Sequence, residues 1–462
     1  MLEKEQLQKY LQKCLTTGAD FAEIYQEESF YRTIKLIDQK IQKVSTSQIN
    51  GVGIRICLKD KIVYGSTSKL DNIESLIERL IGNFNEETKN IQISLPEKTI
   101  YQDKIKVPHH DYPIEKKKLF LHQIDELSRK ESTKVNQVQA ILIEQNQRVI
   151  ISNSNNKYTE DNRTLTRFSA TVFAKDGDNI EKAYVAPGFK KGYEFIEEIN
   201  LQQMIKEVVK SAVEKLTAID CPSGELPVII GNGFGGVIFH EACVHALEAT
   251  TVAKGSSVFN DLLEEPIASP KVTIVDDGTL ECEWGSTNID DEGESSKRNI
   301  LIENGILKNY LIDYINSKVM NMPTTSSGRR QSYCYAPTSR MTNTYLLPGN
   351  DSINEMISSI PYGLYAKNMG GGSVDPKTGD FNFSVNEAYL IEDGKITIPV
   401  KGASLIGNGA EIIKRVSMVS DDLSLSAGLC GSTSGSIPVT VGQPTIKVDK
   451  ILVGGKGEKV HE

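Results

Sequence analysis

The sequence predicts an α+β protein. Residues 1–219 read as a mixed α/β domain, and residues 220–462 as a mainly antiparallel β domain, barrel-like or sandwich, that carries one functional helix. Three observations carry this reading. Helical and strand periodicities alternate through the first part of the chain. After Asp220-Cys221-Pro222-Ser223-Gly224, strand–turn–strand signals take over. Finally, His240-Glu241-Ala242-Cys243-Val244-His245 follows a short apolar run and a glycine turn, Leu226 to Gly236, so a helix beginning near Val237 bears the histidines.

Taken in order, Leu7 to Leu15 has the spacing of a short amphipathic helix. Asp20 to Tyr25, Thr33 to Ile37 and Gly53 to Leu58 are extended in pattern. Asn72 to Leu80 returns to helical spacing, with Ile73, Leu76, Ile77 and Leu80 as its apolar stripe. The polar stretch from Asn85 to Lys106 reads as a loop with a strand-like insert at Ile91-Gln92-Ile93. A helix near Lys116 to Arg129 follows, then strands at Gln139 to Ile143 and Arg148 to Ile151. Thr164 to Ala174 alternates as an edge or hairpin strand, and Asn200 to Leu216 is helical. In the second half, turn pairs at Asp277-Gly278, Asn304-Gly305 and Asp393-Gly394 supply the positive φ angles that tight hairpins need.

Composition narrows the function classes. The net charge of −9 argues against a nucleic-acid surface, which needs a basic patch. No apolar run approaches the length that spans a bilayer. The seven cysteines, an odd number with no paired framework, and the charged start Met1 to Gln6 fit a reducing cytoplasm.

The histidine segment carries the chemistry. Neutral imidazole is a favoured zinc ligand, and a neighbouring glutamate can take a proton from water. The histidines stand five residues apart, about 140° and roughly 7.5 Å on a regular α-helix. Either the helix widens into a π-like turn or the two do not share a metal. A third ligand is needed. Asp290, Asp291 and Glu292 are candidates but read equally as a turn. Cys430, in the glycine-flanked stretch Ala427 to Ser432, is the better one, against the bland reading of a buried thiol. Arg329, Arg330 and Arg340 read as anchors for a peptide carboxylate or as a solvated turn. Gly371, in Gly370-Gly371-Gly372-Ser373, reads as a point of backbone approach for an extended ligand or as plain loop geometry.

Several stretches together resemble the TldD/PmbA family of metallopeptidases, and its TldD branch in particular. They are His240-Glu241-Ala242 with His245, Gly285-Ser286, and Ile289-Asp290-Asp291-Glu292-Gly293. Leu301 to Leu307, Gly328-Arg329-Arg330, Arg340 to Tyr345 and Gly442-Gln443-Pro444-Thr445 complete the set. The resemblance covers the C-terminal half closely and the N-terminal half loosely. It implies that His240, His245 and Cys430 bind one zinc and that Glu241 is the general base. It further implies a cytoplasmic peptidase acting on small or unfolded polypeptides, paired with a TldE/PmbA-like chain or a second copy of itself. The rival expectation is a non-hydrolytic peptide- or partner-binding module with a structural metal. Val244 departs from the family, which places glycine before the second histidine, so the geometry of the turn rests on how a β-branched residue fits there.

Overall fold

The computed structural model describes residues 1–59, 61–84, 91–375 and 378–459. An eight-stranded sheet organises the first half. Its main path runs Lys61–Thr67, Lys40–Leu58, Phe21–Ile37, Val135–Asn153, Tyr158–Asp176 and Thr99–Gln102. The separate extended segments read from the sequence are parts of long continuous strands.

Alternation along these strands gives the sheet two different faces. Ile24, Ile54 and Ile150 lie under the helices Lys4–Leu15 and Ile73–Ile81. Farther along the sheet, Ile34, Leu142 and Phe168 lie under Ile114–Glu131 and Leu201–Lys215. The stripe of Ile73, Leu76, Ile77 and Leu80 is buried as its spacing requires, each side chain contributing about 1.5–3 kcal/mol. The opposite face presents Tyr25, Val149 and Ile151 to Ile289 and Tyr333 of the second half.

One expectation fails in this region and another is narrowed. Ile91 and Ile93 form no strand; they pack against the helical layer, and the strand of that stretch is Thr99–Gln102. Residues 85–90 of the expected loop lie outside the described residues. Of the two alternatives for Thr164 to Ala174 the hairpin strand is the one that forms: Tyr158–Asp176 pairs antiparallel with Val135–Asn153 on one side and Asn179–Val185 on the other.

The second half closes into a barrel, which decides between the two architectures the sequence left open. Five strands, Tyr362–Val374, Gly224–Ile230, Ile446–Gly454, Ser404–Asn408 and Asp380–Glu392, form the ring, and the last pairs back to the first. Beside it stands a six-stranded sheet ordered Ile306–Leu307, Arg298–Glu303, Ile274–Asp277, Asn343–Leu346, Gly435–Gln443 and Ser424–Ser432. Two of the three expected tight turns form: Asn304 and Gly305 have φ of +49° and +84°, Asp393 and Gly394 +49° and +70°. Asp277-Gly278 does not close a hairpin. Asp277 Oδ1 accepts from the Thr279 N–H instead, and the chain runs on to Arg298 before pairing back.

One apolar core joins barrel, sheet and the short helix Val237–Ala242, with Leu226, Val228 and Leu405 on one side and Ile437, Val439 and Val441 on the other. The histidine helix therefore sits between the two β layers. No helix among the described residues is long and apolar enough to cross a membrane.

His109, between the N-terminal sheet and its helices, gives this half a titratable core. Its Nδ1 accepts from Asn146 Nδ2 at 2.9 Å, which leaves Nε2–H to donate to Thr166 Oγ1 at 2.7 Å. Burial pushes its pKa down to about 4 from 6.5. A depressed folded-state pKa means that the unfolded chain takes up the proton first as pH falls. Stability is then full above pH 6.5 and declines toward pH 4 by roughly 3 kcal/mol. Urea denaturation at pH 7 and pH 4.5 is expected to show that loss, and His109→Gln to flatten it; an unchanged slope in the variant would count against the assignment.

Candidate metal centre

The centre is built from two segments that meet because glycine stands at the contact. The barrel strand Gly224–Ile230 leads into the 3-10 turn Gly233–Gly236 and then the helix. A Cβ on Gly236 would sit 2.5 Å from the Gly442 carbonyl oxygen, and one on Gly235 2.6 Å from Gln443 Nε2. With hydrogen at both places, the start of the helix lies directly on the strand Gly435–Gln443. That strand pairs with Ser424–Ser432, where Cys430 is opposite Ile437. The glycine-flanked stretch that bears Cys430 is therefore part of a paired strand and not a loop.

The helix ends after six residues. Cys243 takes φ −119° and ψ −55°, and Val244–Leu247 continues as a 3-10 turn. The π-like widening, one of the two alternatives, does not occur; the break at Cys243 removes the rotation that a regular helix would impose. The rings of His240 and His245 come to 5.2 Å between centroids, nearly perpendicular at 84°. Val244 is fully buried and is not among the residues with positive φ, so the bend asks for no glycine there. Cys243 is buried, its thiol donating to the Gly409 carbonyl at 3.4 Å.

One ligand atom each from His240, Glu241, His245 and Cys430 can be chosen so that all lie within 4.8 Å of one another. Cys430 Sγ is 3.1 Å from His245 Nε2, and Glu241 Oε2 is 3.4 Å from the same nitrogen. His240 is buried, and neither of its ring nitrogens has a hydrogen-bond partner. A buried, unpaired imidazole aimed at a thiol, an imidazole and a carboxylate is the arrangement that an ion would satisfy.

The electrostatics divide the two histidines. Burial, then the neighbouring His245 and Arg340 charges, hold the His240 pKa well below its usual value, so the ring is neutral, the form that binds metals. Burial opposes charge on His245 as well, but Glu248 and the Cys430 thiol outweigh it and raise its pKa well above the usual value. Burial also raises Glu241, with His245 opposing.

Sequence reading missed Glu248, whose Oε1 lies 3.0 Å from His245 Nδ1; its position three residues after the histidine was the available signal. Asp290 fits the turn reading. Its Oδ1 accepts from the N–H of Glu292 and of Glu294, and its Oδ2 from Gly328. Gly371 is exposed on the strand Tyr362–Val374, beyond Ala366, the last residue there to pair with Gly224–Ile230.

The structure corrects the reading of Arg329 and Arg330 both as substrate anchors and as a solvated turn. Both are buried. Arg329 Nη1 donates to the Met341 carbonyl at 2.5 Å. Arg330 Nη2 donates to Glu23 Oε1 at 2.5 Å, and its guanidinium stacks 4.3 Å from the Tyr25 ring centre. Their hydrogen bonds serve the fold.

The comparisons with known proteins bear on the family. Profiles of the PmbA/TldA metallopeptidase domains match in order: domain 1 at residues 22–83, the central domain at 108–216 and the C-terminal domain at 223–455. A metalloprotease TldD homologue from Haemophilus influenzae is 38% identical, with 94% of this chain and 93% of that protein covered. One from Buchnera aphidicola is 35% identical over 96% and 95%.

The chain belongs to the PmbA/TldD metallopeptidase family.

A relative from Saccharolobus solfataricus, 27% identical over 97% and 99%, is named a zinc metalloprotease TldD homologue. The fold is shared with a Thermotoga maritima protein described as a candidate modulator of a DNA gyrase, with a TM-score of 0.79 at 19% identity over 98% and 100% of the two chains. It is shared too with TldE from Thermococcus kodakarensis, at 0.74 and 20% over 98% and 99%. In this member of the PmbA/TldD family Arg330 is structural. Replacing it with Met leaves Glu23 buried with one partner fewer, and a loss of about 3–5 kcal/mol is expected in urea denaturation. A variant of unchanged stability that bound peptide more weakly would restore the substrate role.

Proposed function

We propose that this metallopeptidase is zinc-dependent and cleaves small or unfolded polypeptides in the cytoplasm, paired with a TldE/PmbA-like subunit or a second copy of itself. Residues 220–462 form the catalytic domain and 1–219 the domain packed against it. His240, His245 and Cys430 hold the ion, and Glu241 is the base. The observation that carries this is the buried His240, with two unpaired ring nitrogens inside a cluster of nitrogen, sulfur and carboxylate donors. Two imidazoles and a thiol suit zinc, where magnesium or calcium would call for oxygen.

Zinc, when bound, supplies Lewis acidity that polarises a peptide carbonyl and makes a nearby water easier to deprotonate. Glu241 does the proton work. Its side chain is 28% exposed, against 11% for His245, while His240 and Cys430 are closed off, so it is the most solvent-accessible member of the cluster. A raised pKa brings its carboxylate nearer the range in which a group both takes and returns a proton. It accepts a proton from water and passes it to the leaving amine nitrogen. Glu248, on His245 Nδ1, keeps Nε2 turned toward Cys430 and Glu241. Peptide lies extended along the strand Tyr362–Val374 beyond Ala366, at Gly371, where added main-chain hydrogen bonds recognise any sequence.

A second reading has its own support, because Glu241 also lies within the donor cluster. Four protein ligands would make the metal structural and the protein a binding module, since catalytic zinc keeps a position open. Glu241→Gln separates the two. On the peptidase reading the variant keeps its zinc and loses roughly 10²–10⁴-fold in cleavage, read by mass spectrometry of an unstructured peptide mixture with the partner subunit present. Chelation of the wild type removes activity and added zinc restores it. Loss of zinc from the variant would make Glu241 a ligand.

A further inference from the structure

Arg340 is fully buried behind the centre, between the two segments that supply it. Its Nη2 donates to the Cys430 carbonyl at 2.6 Å, and its Nη1 to Ser434 Oγ at 2.9 Å and to the Gly435 carbonyl at 3.0 Å. One guanidinium thus grips both arms of the hairpin that bears Cys430. The tip of that hairpin is otherwise open: Leu429 and Gly431, on either side of Cys430, are exposed, and a Cβ on Gly431 would meet nothing within 4 Å. On its other side, Arg340 Nε stands 3.8 Å from Glu248 Oε1, an ion-pair distance, and that same oxygen lies 3.0 Å from His245 Nδ1.

We propose that Arg340 is the positioning residue of the centre, holding Cys430 through the hairpin backbone and His245 through Glu248. The inference rests on the reading of His240, His245 and Cys430 as ligands and extends it to the groups behind them. Arg340 has a geometric task that few residues can perform. The planar fork donates to two carbonyls and a hydroxyl while its Nε edge, without a hydrogen bond of its own, faces the Glu248 carboxylate at ion-pair distance, whereas a lysine ammonium is a single point on a flexible stem. Glu248 answers the buried charge of Arg340 and orients the imidazole with the same carboxylate. A carboxylate behind a ligating histidine also makes it a better donor. Thiol and imidazole, from segments 185 residues apart, are thereby tied through one ionic pair.

Cobalt(II) is the probe, since thiolate ligation gives it a near-ultraviolet charge-transfer band. Full-length wild type, Arg340→Lys and Glu248→Gln are titrated with cobalt after circular dichroism and melting establish their fold. Wild type is expected to show the thiolate band. Arg340→Lys is expected to bind about 10–100-fold more weakly with the band reduced, because the Cys430 backbone is released. Glu248→Gln is expected to lose affinity in the same range with the band retained, because only the imidazole is affected. A folded Arg340→Lys with unchanged affinity and band overturns the proposal, as does a Glu248→Gln that binds like wild type; the latter decides alone if Arg340→Lys fails to fold. A wild type without the thiolate band refutes the ligand reading itself.

Discussion

A six-residue helix touches a strand because no side chain stands between them, and the centre depends on that contact. The Cβ atoms missing at Gly235 and Gly236 would fall 2.6 and 2.5 Å from the Gln443 side chain and the Gly442 backbone, well inside van der Waals contact; at Gly236, where backbone faces backbone, any larger residue pushes the helix off. The neighbouring strand holds Cys430 in register. An outward shift of even one ångström would separate the thiol from His245 Nε2, now 3.1 Å away. The break at Cys243 then turns His245 back toward His240. Without it, five residues of helix would carry the second ring to another face.

A different constraint joins the halves of the molecule. Arg55 Nη2 bonds Glu23 Oε2 at 2.8 Å and Glu292 Oε1 at 2.7 Å, while Arg163 Nη1 reaches Asp291 Oδ1 at 2.7 Å. With Arg330 on Glu23, these pairs run from the face of the N-terminal sheet into the acidic turn at residues 290–292. Charges so buried stabilise only when every one is answered, because each costs several kcal/mol to remove from water. Burial therefore explains why this acidic triplet and the Gly-Arg-Arg stretch look functional in sequence: they are charged and tightly constrained, but by each other.

Helices with a clean apolar stripe, such as Ile73–Ile81, were legible because periodicity alone decides which face is buried. The turns at Asn304-Gly305 and Asp393-Gly394 were legible because positive φ selects those residues. The same signal misled at Asp277-Gly278, where the aspartate side chain caps Thr279 and the strand's partners come from far along the chain. Ile91 and Ile93 showed alternation without a neighbour to pair with. Long strands were read in pieces, since Glu27 and Ser29 are buried polar residues that break the apolar pattern; they are two apart on one strand, and Ser29 Oγ donates to Glu27 Oε1 at 2.6 Å.

The sequence by itself determined the kind of chemistry: two imidazoles, a carboxylate and a thiol in motifs that belong to the PmbA/TldD metallopeptidases, on an α+β chain. Residue type dictates donor chemistry, and local periodicity dictates elements, so both could be read from the chain alone. Tertiary structure decided that the β region closes as a barrel, that the helix breaks at Cys243, and that Arg340 and Glu248 stand behind the centre while Arg330 serves the fold. Those outcomes depend on atoms brought within a few ångströms from positions as much as 307 residues apart. No local pattern encodes such distances; they follow from which surfaces pack together and which buried charges find a partner.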